Sequence, residues 1–186
     1  MAAAYLTAKE LGELLEELAA RLYARGTTGT LLIVGDAAMS LGHGGRRVTR
    51  DVDGDFQPRQ PIQAVAVEMA RERGLRENWL NSAAAAFLPH LQPEDRVVLH
   101  AYPGLTVQLA SPRVLLAMKL AAFRATDIPD LVTLFQELDV TDADEAVRIT
   151  RELYGEHAEL IRDNGDVDLR LRAEDVLERI ELDRTS

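Results

Sequence analysis

Leu11, Leu14, Leu15, Leu18 and Leu22 recur at helical spacing. Thr7 and Glu10 stand just ahead of them in the arrangement of a capping box, and Gly26 offers the stop. The apolar run Thr30–Val34 is short and β-prone and ends at Gly35. Ala37–Leu41 reads as a helix start, followed by a Gly-rich basic stretch from Gly42 to Arg47. Val48–Phe56 alternates as a second strand and carries Asp51, Asp53 and Asp55. Pro61–Arg73 is a helix with proline in its first turn and Gly74 after its end. Trp79–Leu88 reads as a shorter helix stopped by Pro89. Arg96–Tyr102 and Leu105–Ala110 are strands joined tightly enough for a hairpin.

From Ser111 onward the pattern is helical. Ser111-Pro112 is an N-cap followed by proline at the first helical position, and apolar residues continue to Phe123. Asp127–Leu138, Thr141–Tyr154 and Ala173–Leu182 follow, with a turn expected at Asn164-Gly165. The fold class expected is α/β in the α+β sense: a mixed sheet of about four strands with flanking helices in residues 1–110, then a helical part in 111–186 packed on it.

Charge sharpens this division. The chain of 186 residues carries a formal charge of −10. Residues 1–110 hold 13 acids and 11 bases, a net of −2, whereas residues 111–186 hold 18 acids and 10 bases, a net of −8. A global basic footprint for nucleic acid is excluded, but a local one is not: Arg46 to Arg76 carries 7 bases against 5 acids. The acidic helical part is a candidate surface for a basic partner. Cysteine is absent, which removes disulfides, thiol catalysis and Cys-ligated zinc. No apolar run reaches the roughly 20 residues of a membrane span, so a cytoplasmic protein without membrane contact is expected. Only Lys9 and Lys119 are lysines, against 19 arginines, which singles both out.

The first candidate chemistry is Asp51-Val52-Asp53. Two acids one residue apart on a strand share a face, and near a strand end they can hold Mg²⁺ or Mn²⁺ through hard oxygen ligands. The plain alternative is an exposed strand face near a turn. Upstream, the strand–Gly35–helix passage can present backbone N–H groups to a phosphate. Between the two lie Arg46, Arg47 and Arg50, which suit phosphate contacts or simply a solvated loop. Lys119 shares a helix face with Leu115, Leu116, Ala122 and Phe123, so it either snorkels to water or is held for a task. Asp127 and Asp130 suit the N-cap and first turn of the next helix.

A strand, a glycine, a helix and then D-x-D about 16 residues on resembles the DNA polymerase beta-like nucleotidyltransferase superfamily. The runs Ile33–Leu41, Arg46–Asp53 and Trp79–Pro89 are similar to AbiEii/MenT-type members. Ser111-Pro112 followed by Lys119, with Asp127 and Asp130 beyond, fits the same pattern. The resemblance implies transfer of a nucleoside monophosphate from an NTP to an RNA, possibly tRNA, or protein acceptor. It implies Mg²⁺ or Mn²⁺ on Asp51 and Asp53, nucleotide contacts from Gly35, Asp36, Arg46, Arg47 and Arg50, and catalytic roles for Lys119, Asp127 and Asp130. Lys119 would be a charge on the triphosphate or a proton donor to pyrophosphate. Toxin activity restrained by a cognate antitoxin protein is part of the same implication.

The chain departs from the family pattern at three places, and two of them, Asp36 and Gln108, support a competing class, a catalytically impaired protein of this fold acting as a binding or regulatory module. Asp36 stands where the family has a small residue; as an N-cap it would place a charge costing about 1–4 kcal/mol where a triphosphate should lie. Gln108 occupies the place of a third carboxylate, unless Asp55 substitutes. Thr126 stands where the resembling segment has arginine.

Overall fold

The computed structural model describes residues 5–42, 48–155 and 165–185. The chain divides into two compact units, Met1–Ala86 with Arg96–Ala110, and Phe87–Asp95 with Ser111–Ser186. The class is mixed α/β: a five-stranded mixed sheet with flanking helices in the first unit, and helices in the second.

The first unit opens with helix α1, Ala8–Ala24. Its capping box forms as the sequence requires: the Glu10 amide donates to Thr7 Oγ1 at 3.3 Å, and the Thr7 amide donates to Glu10 Oε2 at 2.8 Å. Strand β1, Gly29–Ile33, helix α2, Gly35–Gly42, strand β2, Val52–Gln57, and helix α3, Arg59–Arg73, follow. Strands β3, Leu80–Asn81, β4, Arg96–Tyr102, and β5, Leu105–Ala110, complete the sheet. The order is β3-β2-β1-β5-β4, with β1 antiparallel to β2 and parallel to β5. Central β1 is buried through Leu31, Leu32 and Ile33, as a strand covered on both faces must be.

Several boundaries differ from the sequence expectation, each for a physical reason. The second strand starts at Val52; upstream, Thr49 forms only an isolated bridge to Leu6. The third helix starts before Pro61, at Arg59, because its first turn needs no donor from proline. Trp79–Leu88 is not a helix. The Trp79 carbonyl accepts from the Val52 amide at 2.6 Å and the next two residues pair with β2, leaving a short 3₁₀ turn at Ala83–Phe87. Trp79 is fully buried, its indole N–H donating to the Ala66 carbonyl at 2.9 Å, so packing overrides the alanine-rich helical signal.

The second unit holds α4, Pro112–Ala122, α5, Ile128–Glu137, α6, Ala143–Tyr154, and α7, Gly165–Thr185. Ser111 caps α4 by accepting from the Val114 amide at 3.3 Å. Helix α7 begins well before the expected Ala173. Its buried stripe of Leu169, Ala173, Val176 and Ile180 continues the period upstream into residues whose acidity hides it. Arg172 donates to the Leu120 and Ala121 carbonyls at 3.1 and 2.7 Å, satisfying orphan acceptors at the end of α4. Among the described residues no helix is long and apolar enough to cross a membrane.

The β4–β5 turn lies against α1 without room for a side chain. A Cβ on Gly104 would sit 2.2 Å from the Ala19 carbonyl oxygen and 2.7 Å from the Tyr23 nitrogen, both backbone atoms. Gly104→Ala should therefore lower the unfolding free energy by about 1–3 kcal/mol in a urea titration. An unchanged midpoint would contradict this packing.

Candidate functional site

On β2, Val52, Gly54 and Phe56 are buried while Asp53 and Asp55 project from the other face and remain half-exposed. Asp51 stands in phase just before the strand, so the three acids share one face. Gly54 makes this possible: a Cβ there would lie 2.5 Å from the Leu32 carbonyl oxygen on β1. The Val34 amide donates to the Asp53 carbonyl at 2.9 Å, which ties Asp53 to the passage from β1 into α2. Gly35 takes the left-handed conformation at φ 62, and a Cβ on it would be 4.0 Å from Asp53 Oδ2. The Asp53 carboxylate thus stands beside the first turn of α2, at the positive end of that helix's dipole.

Asp51 Oδ2 lies 3.8 Å from Arg76 and Asp55 Oδ1 lies 3.7 Å from Arg59. These are long, solvent-screened pairs of small energetic weight, so both carboxylates stay available to another cation. Sequence reasoning missed Arg76, whose only signal was a basic residue just after the Gly74 helix stop. Arg50 is exposed; it donates to the Tyr5 hydroxyl at 2.7 Å, and its guanidinium stacks 4.7 Å from the Tyr5 ring centroid. Arg46 and Arg47 lie outside the described residues. Asp36 does not cap α2. The helix begins at Gly35, so Asp36 is an exposed residue inside the first turn. Gln108 pairs with Leu32, which pairs with Asp55, so the amide stands in the same row and on the same face as the acids.

A second cluster forms within the helical unit. Lys119 is 5% exposed, and its Nζ lies 2.9 Å from Asp127 Oδ1 and 2.9 Å from Asp130 Oδ2. Both acids are buried as well, at 6% and 2% exposure. Asp127 occupies the N-cap position of α5 but makes no capping bond to it. Its second oxygen accepts instead from the Arg124 amide at 3.2 Å, which closes the turn between α4 and α5. Asp130 in the first turn of α5 likewise turns to the lysine. Buried charges require such pairing, which explains why this lysine does not snorkel to water. Thr126 is exposed in that turn.

A family model described as "Nucleotidyltransferase of unknown function (DUF6036)" matches residues 9–168. No curated protein and no solved structure matches the chain.

The lysine cluster has a measurable consequence for stability. Lys119→Met would leave two buried carboxylates facing one another and should lower the unfolding free energy by about 3–5 kcal/mol. Denaturant unfolding at neutral pH checks this, and a loss below about 1 kcal/mol would show that the pair is hydrated and weak.

Proposed function

The chain belongs to the DUF6036 nucleotidyltransferase family, and from that premise we propose that it moves a nucleoside monophosphate from an NTP to an RNA, such as tRNA, or to a protein acceptor. The observation that carries the reading is the shared face of Asp51 and Asp53, with the Asp53 carboxylate beside Gly35 at the start of α2. In the reaction, an acceptor oxygen attacks the α-phosphorus, loses its proton and forms the new P–O bond. The bond from the α-phosphorus to the bridging oxygen breaks, and pyrophosphate leaves with that electron pair.

The half-exposed carboxylates suit Mg²⁺ or Mn²⁺, which take hard oxygen ligands, and Asp51 and Asp53 are the residues proposed to hold the ion. When bound, such an ion neutralises phosphate charge and supports the attacking and leaving oxygens of an in-line displacement. The first turn of α2, at Gly35 and Asp36, is the proposed seat of a phosphate because the helix dipole favours an anion there, and Arg46, Arg47 and Arg50 are the proposed cationic contacts. Lys119, oriented by Asp127 and Asp130, is the proposed charge partner of the triphosphate or proton donor to pyrophosphate. Growth arrest relieved by an antitoxin protein is the biological role proposed with this activity.

The exposed Asp36 in the first turn and Gln108 on β5 favour the competing reading of a nucleotide-binding module without transfer. Incubation with each α-³²P-labelled NTP, Mg²⁺ and total RNA or protein separates the two. The proposal expects label on an acceptor from at least one NTP, and a loss of about 100-fold or more in Asp51→Asn and in Asp53→Asn. No label with any NTP, together with a nucleotide-induced rise in stability of about 2.7 kcal/mol at 100 times the dissociation constant, would establish the module instead.

A further inference from the structure

We propose that Tyr5 is a positioning residue of the acidic site: by holding Arg50 it fixes the chain immediately ahead of Asp51, and so sets how tightly Asp51 grips its cation. The inference rests on the reading that Asp51 and Asp53 hold a divalent ion, and it concerns how one of those two carboxylates is kept in place.

The two acids are held by different means. Asp53 lies within β2, pairs with Asn81 of β3 on one side, and on the other its carbonyl accepts from the Val34 amide at 2.9 Å. Asp51 lies one residue before β2 begins. After it, the Val52 amide donates to the Trp79 carbonyl at 2.6 Å, which anchors the chain where the strand starts. Before it, the chain leaves the sheet and bends at Arg50. The ion pair of the Asp51 carboxylate with Arg76, at 3.8 Å, is too long and too exposed to fix it. A ligand on a loosely held backbone must be ordered each time an ion binds, and that ordering weakens binding.

The segment Tyr5–Leu6 supplies the restraint that β2 does not. The Leu6 amide donates to the Thr49 carbonyl at 2.7 Å, and the Thr49 amide donates back to the Leu6 carbonyl at 3.0 Å, in an isolated antiparallel bridge. Leu6 and Thr49 are both buried, which shields the bridge from water. Tyr5 and Arg50 are the next residues along the two paired segments, and they meet. The guanidinium donates to the Tyr5 hydroxyl at 2.7 Å and stacks 4.7 Å from its ring centroid. Thr49 Oγ1 donates to the Asp51 carbonyl at 2.9 Å, which carries the restraint past Arg50 to the acid itself. The far end of this strap is also anchored, because Thr7, next to Leu6, is the N-cap of α1 and its capping box is closed. Tyr5 is 51% exposed, so core packing does not account for it; what its side chain engages is Arg50.

The test uses the full chain with Mn²⁺ and a non-hydrolysable NTP analogue, read by electron paramagnetic resonance and by amide hydrogen exchange. Tyr5→Ala should raise the Mn²⁺ dissociation constant about 10-fold, as loss of a residue that orients a metal ligand does, with cooperative unfolding retained. Tyr5→Phe, which keeps the stacked ring and loses the hydroxyl, should fall between wild type and Tyr5→Ala. Tyr23→Ala, which removes an exposed tyrosine of α1, should leave the affinity unchanged. Exchange at the Thr49 amide should quicken in Tyr5→Ala while exchange within the β1–β2 ladder does not. Undiminished Mn²⁺ binding in folded Tyr5→Ala, or equal weakening by Tyr23→Ala, would overturn this proposal alone; if Tyr5→Ala does not fold, undiminished binding by Tyr5→Phe overturns it instead. A wild type that binds no Mn²⁺ with any analogue would remove the cation reading, and this proposal with it.

Discussion

The register of β2 against β1 is the constraint on which the first unit depends. Ile33 lies opposite Gly54 and Leu32 opposite Asp55, with β1 itself buried on both faces. A slip of one residue would turn Asp53 and Asp55 into the core and bring Val52 and Phe56 out, exchanging apolar burial for buried charge. The register is therefore strongly enforced, and it is what makes three acids a single face. Gly54 is part of the same constraint, because only a residue without Cβ lets β2 approach the Leu32 carbonyl. Structure and candidate chemistry thus have one cause: the alternation that fills the core with Val52 and Phe56 is the alternation that presents Asp53.

The helical unit is organised differently, around a charge it has buried. Lys119 sits among the apolar residues of α4, and two carboxylates reach it from the turn into α5 and from the first turn of that helix. Asp127 also closes that turn through the Arg124 amide, so one side chain fixes both the chain reversal and the lysine. Such a cluster is weak evidence for stability gained, since an apolar replacement of all three can be as stable. What the structure shows is a buried lysine held at 2.9 Å by each of two buried carboxylates.

Features written in local chemistry were legible in the sequence. The capping box at Thr7 and Glu10, the β4 and β5 strands and the Ser111 cap rest on neighbouring residues only, and the structure has them where the pattern puts them. The acids on β2 were legible for the same reason, because alternation is a local property. Features decided by distant contacts were not. The alanines after Trp79 look helical, yet the strand pairing of Leu80 and Asn81 with β2 and the burial of the indole prevail. Asp127 has the composition of a cap but is drawn to a lysine eight residues back. Asp36 has the composition of a cap, but α2 begins one residue earlier, at Gly35, which places it inside the first turn.

The central claim is that the Asp51–Asp53 face takes a divalent cation with a nucleotide. Electron paramagnetic resonance of Mn²⁺ titrated into the protein with a non-hydrolysable NTP analogue tests this most directly. The expected result is bound Mn²⁺ in the wild type and its loss in folded Asp51→Asn and Asp53→Asn. Undiminished Mn²⁺ binding in both variants, or none in the wild type with any analogue, would contradict the account.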